Sequence, residues 1–249
     1  MRREVFDFVG SSGTTLSGRL DLPDERARGA VLMAHCFTCT KDVHTQTRLS
    51  RALVEAGYAT MRFDFTGLGG SDGDFAATTV SSNLGDLRRA AMALIQRGVG
   101  PCGLLGHSLG GAAALMVAAD LKTVRSVVTV AAPSTPGHVR HLFADAVDVA
   151  DDRFQVRIGG RPFEIGQDFV DDLDRHDSAS AIADLGRPLL VVHPVDDSIV
   201  PVSEGEAIFA AARQPKSFVP LLGTDHMIAE REAADELARV VVGWFDATL

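Results

Sequence analysis

Six residues, Gly106-His107-Ser108-Leu109-Gly110-Gly111, set a serine hydroxyl where it could attack a carbonyl carbon. Before them lies an apolar run, Cys102 to Leu105, and after them an alanine-rich run, Ala112 to Ala119. Read as a buried strand and a helix, these runs make Gly-x-Ser-x-Gly a nucleophile elbow, a tight turn that lifts Ser108 above a sheet. The bend leaves no room for a Cβ at Gly106 or Gly110, and it holds Ser108 in a strained conformation. The helix N-terminus beside the hydroxyl favours negative charge at that point.

A serine hydroxyl is a weak nucleophile at neutral pH. It needs a base to take its proton and a third group to orient that base. With the elbow first in the chain, the acid and the histidine should follow on loops after later strands. Pro194-Val195-Asp196-Asp197-Ser198-Ile199-Val200-Pro201 follows the apolar run Leu189 to His193, and Gly223-Thr224-Asp225-His226 follows the run ending near Leu222. His226 is the candidate base, next to a glycine turn and late in the chain. The acid is Asp196 or Asp197, and Asp197 is preferred for its place four positions ahead of Pro201.

The other histidines read differently. His35 and His193 stand at strand ends, where structural hydrogen bonds are expected, and His138, His141 and His176 fall in a stretch expected to be exposed. A developing oxyanion would need two fixed N–H donors. By position these are Leu109, after the nucleophile, and Phe37, in the loop His35-Cys36-Phe37-Thr38; the Phe37 ring would form part of an acyl pocket wall. Cys36-x-x-Cys39 can be read as a redox pair or as two small semi-buried residues. Two cysteines do not complete a tetrahedral metal site, and Cys102 reads as core. Asp64 to Gly73 lacks the lysine of a phosphate-binding loop and opens no helix at once.

The elements that must position these residues alternate. Glu4 to Val9 and Leu16 to Leu22 read as a hairpin around Gly10-Ser11-Ser12-Gly13. Strands over Ala30 to Ala34, Ala59 to Phe63, the elbow run and Val124 to Ala131 alternate with helices over Val43 to Ala56 and from Ser82 or Asn83 to Ile95. Leu189 to His193, Glu204 to Ala212, Ser217 to Leu221 and Glu230 to Asp246 resume as strand, helix, strand, helix. The fold class is α/β, with a mostly parallel central sheet covered by helices on both faces. Ser134 to about Leu185 breaks the alternation: a helix over His138 to Ala150, a hairpin turning on Gly159-Gly160, and a short helix over Gln167 to Leu173. The expected division is a core of residues 1–133 and 186–249 with a small cap insertion at 134–185.

The chain has 249 residues, 46% hydrophobic and 23% charged, with a net charge of −9. That composition is that of a soluble globular protein, and the charge disfavours nucleic acid and anionic membrane as partners. A charged N-terminus and the lack of a ~20-residue apolar run lead to a cytoplasmic expectation. No cofactor and no metal is implied.

Together, the elbow, the Asp64 to Gly73 loop, Asp197 with Val200-Pro201, and Gly223 with His226 resemble the α/β-hydrolase superfamily in its serine esterase branch. More narrowly, His35 to Asp42, Arg62 to Gly69 and Pro215-Lys216-Ser217-Phe218 look like the hydrolase half of bacterial proteins that fuse this fold to an OsmC-type thiol peroxidase. The chain is also similar to small cinnamoyl (feruloyl) esterases, although Cys36 stands where those have glycine. The resemblance implies an acyl-enzyme mechanism on a small acyl or aromatic ester, with Asp64 to Gly73 buttressing the elbow. A serine at the elbow, where dehalogenases and epoxide hydrolases carry a carboxylate, sets their chemistry aside. A small-molecule ester, a homodimer and a functional link to an OsmC-type thiol peroxidase are the partner expectations. Phe143, Phe154, Phe163 and Phe169 either give the cap an aromatic or apolar substrate face or simply glue the cap to the sheet.

Overall fold

The computed structural model describes all residues except Asp151 and Gly159. Its strands, in chain order, are β1 (Arg2–Val5), β2 (Phe8–Val9), β3 (Thr15–Leu16), β4 (Gly18–Leu22), β5 (Ala30–Ala34), β6 (Ala59–Phe63), β7 (Gly103–His107), β8 (Ser126–Val130), β9 (Val147–Ala150), β10 (Arg153–Ile158), β11 (Arg161–Gly166), β12 (Leu189–Pro194) and β13 (Lys216–Leu221). The helices are α1 (His44–Glu55), α2 (Val80–Gln96), α3 (Leu109–Val117), α4 (Gln167–Asp172), α5 (Ser178–Ala183), α6 (Val202–Ala211) and α7 (Arg231–Thr248).

Eight strands form one sheet in the order β1-β4-β6-β5-β7-β8-β12-β13. The β1–β4 and β4–β6 pairs are antiparallel, and every later pair is parallel. The central strands β5, β6, β7, β8 and β12 are buried along their whole length, as continuous apolar runs require once both faces are covered. On one face, Leu49 and Leu53 of α1 pack with Leu237, Val241 and Phe245 of α7. The other face is covered by α2, α3, α5 and α6, through residues such as Leu87, Leu115, Ile182 and Ile208. With parallel strands and the helices on their flanks, the loops after β5, β7, β12 and β13 meet at one edge.

Local chemistry moves some boundaries. The second helix starts earlier than Ser82, because Thr79 caps it and Ser82 closes a capping box three residues on. The N-terminal hairpin is interrupted: β1 pairs with β4, and β2 separately with β3.

The larger correction lies between β8 and β12. The helix expected over His138 to Ala150 stops at Phe143 as a 3₁₀ turn opened by Thr135 and Pro136. Val147–Ala150 is instead a strand, pairing antiparallel with β10 in a three-stranded sheet β11-β10-β9. Its β-branched Val147 and Val149 favour extended backbone, and pairing with β10 supplies hydrogen bonds that the short helical run could not outweigh. The β10–β11 hairpin forms in the register Ile158↔Arg161. The Gly159 half of its expected Gly-Gly turn lies outside the described residues.

This segment is fastened to the main body at a few points. The Asp172 carboxylate accepts from Ser81 N–H (2.6 Å) at the N-terminus of α2, where free amides and the helix dipole favour an anion. Arg153 pairs with Asp74 at 2.7 Å. Phe169, fully buried, stacks on Phe37 with ring centroids 5.0 Å apart. No described helix is long and apolar enough to cross a membrane.

Candidate active site

Ser108 sits between β7 and α3 with φ 55° and ψ −129°, the strained geometry expected of it. A Cβ on Gly106 would strike the backbone of Gly110 and Gly111, and one on Gly110 would strike the carbonyls of Ala34 and His35. The glycines therefore let the start of α3 press against the ends of β5 and β7. Thr38 (φ 61°) and Ile228 (φ 51°), in the loops after β5 and β13, also occupy the left-handed region. Backbone strain in non-glycine residues thus gathers around this edge of the sheet.

Three distant side chains meet there. His226 Nε2 lies 3.0 Å from Ser108 Oγ, and His226 Nδ1 lies 2.7 Å from Asp197 Oδ2. All three are buried, at 5 to 6% exposure. The second oxygen, Asp197 Oδ1, accepts the N–H groups of Ile199 (2.9 Å) and Val200 (2.8 Å). Burial raises the Asp197 carboxyl, but the hydrogen bonds from His226, Val200 and Ile199 outweigh it and hold the group below its usual range. Asp196 next door is exposed and points away from this chain of contacts. The 2.7 Å bond of an ionised acid to Nδ1–H leaves Nε2 as the bare nitrogen facing the hydroxyl.

Sequence reasoning placed structural hydrogen bonds at His35 and His193, and did not find the pattern that links them with His107. Each of these buried imidazoles ends a strand or follows one, and each donates to a backbone carbonyl of a different loop. His35 Nδ1 bonds Cys36 O at 2.8 Å, His107 Nε2 bonds His226 O at 2.9 Å, and His193 Nε2 bonds Val200 O at 2.8 Å. The loops bearing His226 and Asp197 are thereby each tied to the end of a strand, and His35 Nε2, accepting Phe65 N–H at 3.3 Å, joins the end of β5 to the loop after β6. Burial pushes all three rings toward the neutral form, His107 down to about 3 with the neighbouring His226 adding to the effect. His107 Nδ1 and His193 Nδ1 have no partner among the described residues, as suits the bare nitrogens of neutral rings. The visible sequence signal was only that histidines recur where apolar strands end.

The loop after β5 is a four-residue turn closed by Cys39 N–H to Cys36 O (3.1 Å) and by a disulfide between Cys36 and Cys39, with Cα atoms 5.3 Å apart. Phe37 and Thr38 are its corners. Among the described residues, neither Phe37 N–H nor Leu109 N–H has a hydrogen-bond partner, so two backbone donors stay open beside Ser108. The Asp64 carboxylate clasps Lys41, accepting its backbone N–H and its ammonium at 2.6 Å each. The Asp64 to Gly73 loop therefore braces the turn after β5, rather than the elbow itself. Cys102 is buried and free.

A cleft of about 240 Å³ opens onto Ser108 and His226. Its walls are Phe37 and Thr38 on one side, Ile199, Val200 and Met227 on another, and Val139, Leu142, Ile158 and Arg161 from the segment between β8 and β12. The aromatics expected to face substrate lie elsewhere. Phe143 and Phe169 pack on Phe37, Phe163 packs on Phe75, and Phe154 borders a surface hollow beside Asp148. Phe143, Phe163 and Phe169 hold the segment down through these ring contacts.

A strained strand-to-helix serine, an imidazole and an ionised acid, gathered at the C-terminal edge of a parallel sheet, define a hydrolase of the α/β class. Residues 31–240 match the model of the alpha/beta hydrolase family, and the chain belongs to that family. It is 41% identical to the esterase domain of a Rhodothermus marinus protein, over 98% of each chain, with a TM-score of 0.83. Est1E from Butyrivibrio proteoclasticus, solved with ferulic acid bound, superposes at a TM-score of 0.80 with 19% identity, covering 97% of this chain and 98% of that one. A Xanthomonas campestris α/β serine hydrolase without a lid gives 0.68 at 20% identity, covering 99% and 95%. At those two identities the likeness is one of fold. No curated protein matches the sequence.

Proposed function

We propose that this protein is a serine hydrolase of carboxylic esters (or thioesters), acting through an acyl-enzyme, with residues 134–185 as a cap over the site. The observation that carries the reading is the unbroken relay from Asp197 through His226 to Ser108, at 2.7 and 3.0 Å. His226 Nε2 takes the Ser108 proton as Oγ bonds to the substrate carbonyl carbon, and Asp197 stabilises the imidazolium. Phe37 and Leu109 N–H groups receive the oxyanion. His226 then protonates the leaving alcohol (or thiol) as the tetrahedral species collapses. Water, deprotonated by His226, attacks the acyl-serine and releases the acid. The esterase domain from Rhodothermus marinus, at 41% identity, supports an ester as the substrate class.

Labelling by a fluorophosphonate, together with hydrolysis of short p-nitrophenyl esters, hydroxycinnamate esters and acyl thioesters, tests this reading. Both labelling and hydrolysis should vanish in Ser108→Ala. A wild-type protein that neither labels nor turns over any of the three substrate classes would be a binding protein instead.

The Cys36–Cys39 bond favours a second reading, in which thiol state sets the activity. It closes the turn that offers Phe37 N–H, so opening it frees that donor to move. A dithiol would reduce the bond to two thiols and be oxidised to its own disulfide. An OsmC-type thiol peroxidase is the class of partner through which such a turn would be coupled to peroxide chemistry. Esterase rates with and without reductant, in wild type and in Cys36→Ser/Cys39→Ser, decide it. Equal rates throughout remove this reading and leave the esterase intact.

A further inference from the structure

The cleft above Ser108 carries a charge that the relay does not use. Arg161 opens β11, directly across the hairpin from Ile158, and both face the same cleft as Ser108 and His226. Its guanidinium donates to the carbonyl of Thr38 at 3.3 Å and stands 5.5 Å from the centre of the Phe163 ring. Both contacts orient the group without neutralising it.

Arg153, at the other end of the same hairpin, shows the contrast. It forms an ion pair with Asp74 and lies close to Glu164 as well. Among the described residues no carboxylate lies within 4.0 Å of Arg161, and no Asp or Glu lines the cleft. The chain holds 33 acidic residues against 24 Lys and Arg, so a basic cleft without an acid runs against its overall balance. The remaining walls combine aliphatic side chains with Thr38, His141 and the Ser108–His226 pair, and carry no anionic group.

A guanidinium has five N–H donors in a planar fork, and Thr38 O takes one of them. The rest have no partner among the described residues, and Arg161 is an exposed residue lining the cleft, held to Thr38, the residue after Phe37. We infer that Arg161 is a specificity-determining residue that binds an anionic group, a carboxylate in the first instance, carried by the ester substrate close to its scissile carbonyl. This rests on the ester-hydrolase reading and deepens it: the preferred substrate is an ester bearing a negative charge, held at one end by Arg161 and at the other by the open amides beside Ser108.

The test uses matched pairs that differ only in charge. 4-Nitrophenyl hexanoate against the mono-4-nitrophenyl ester of adipic acid puts the carboxylate on the acyl side. Phenyl acetate against 4-acetoxybenzoate puts it on the leaving group. In one pair the charged ester should have the higher kcat/KM. Arg161→Gln should then lower the charged-to-neutral ratio about ten- to a hundredfold, mainly through KM, the range for hydrogen bonds to charged groups. Arg161→Lys should restore part of the ratio, and added salt should erode it. A ratio near one in both pairs, or one that Arg161→Gln leaves unmoved, overturns the inference while leaving the esterase reading in place. Calorimetric binding of the same esters to the Ser108→Ala protein gives a readout independent of turnover. If the charged member of neither pair binds more tightly than its neutral partner there, the inference fails whatever the wild type hydrolyses.

Discussion

The turns at the end of the sheet and the segment between β8 and β12, proposed above as a cap, are built on different principles. In the turns nearly every polar group that matters has a buried partner: Asp197 accepts from two amides and an imidazole, Asp64 grips Lys41, and three neutral histidines hold three carbonyls. In the segment between β8 and β12, β9 leaves Val147 and Val149 exposed at a free edge, while attachment comes from buried apolar residues such as Val156, Ile165, Phe169 and Leu173 and from a few ion pairs. The turns hold their groups in place through buried hydrogen bonds, as bond-making requires, whereas the segment above them touches the turns chiefly through Phe169 on Phe37 and offers an exposed surface elsewhere. On the proposed function, chemistry resides at the end of the sheet and selection in the segment above it.

That division has measurable edges. Removing the nucleophile in Ser108→Ala should lower kcat/KM by on the order of 10⁴-fold or more, read as ester hydrolysis. Asp197→Asn should follow, at roughly 10³- to 10⁴-fold in kcat, because a neutral amide no longer fixes the imidazole tautomer. Asp196→Asn, one residue away but exposed, should change the rate less than about threefold. If the two aspartates swapped their effects, the acid would have to be reassigned to Asp196, within the same turn after β12.

On the cap side, Phe169→Ala should cost about 3 kcal/mol or more of stability, seen as a lower urea midpoint, because it empties a filled space between cap and turn. It should also blunt activity by loosening Phe37. A full-sized stability loss with unaltered kcat and KM would mean that the cap does not brace the turn after β5.

The smallest expected effect concerns pH. His35, His107 and His193 are held neutral by burial, below the ordinary value of 6.5. As pH falls through that value the unfolded chain takes up protons that the folded chain refuses, so stability declines on the acid side and is flat with respect to these groups above about pH 7.5. At pH 5.5 His107, pushed down to about 3, should cost about 1 kcal/mol, measured as a shift in urea midpoint from pH 7.5, with His35 and His193 acting in the same direction. Asp197, with its carboxyl held below 3.8, adds a further loss only at more acidic pH. An unchanged midpoint from pH 7.5 to 5.5 would show that the three rings are not buried neutral.

Much of this was legible in the sequence, and for a physical reason. The glycines around Ser108 are required by contacts so close that residue type encodes geometry. The alternation of apolar strands with amphipathic helices likewise encodes a sheet covered on both faces. What escaped was set by partners far away in the chain. That His107 holds the carbonyl of a residue 119 positions later has no local signature. Val147 to Ala150 could be matched to a helical face until pairing with β10 chose between the alternatives. Cys36 and Cys39 have a spacing that suits a bond or a pair of small side chains, and sequence offers nothing to separate them.

Two imidazole tethers carry a consequence for how the molecule comes apart. Because His107 and His193 tie the turns bearing His226 and Asp197 to the ends of sheet strands, those turns share the cooperativity of the sheet. Heat inactivation should therefore coincide with global melting. The amides of β9 and β10 should instead exchange with solvent deuterium through openings that leave the scaffold standing.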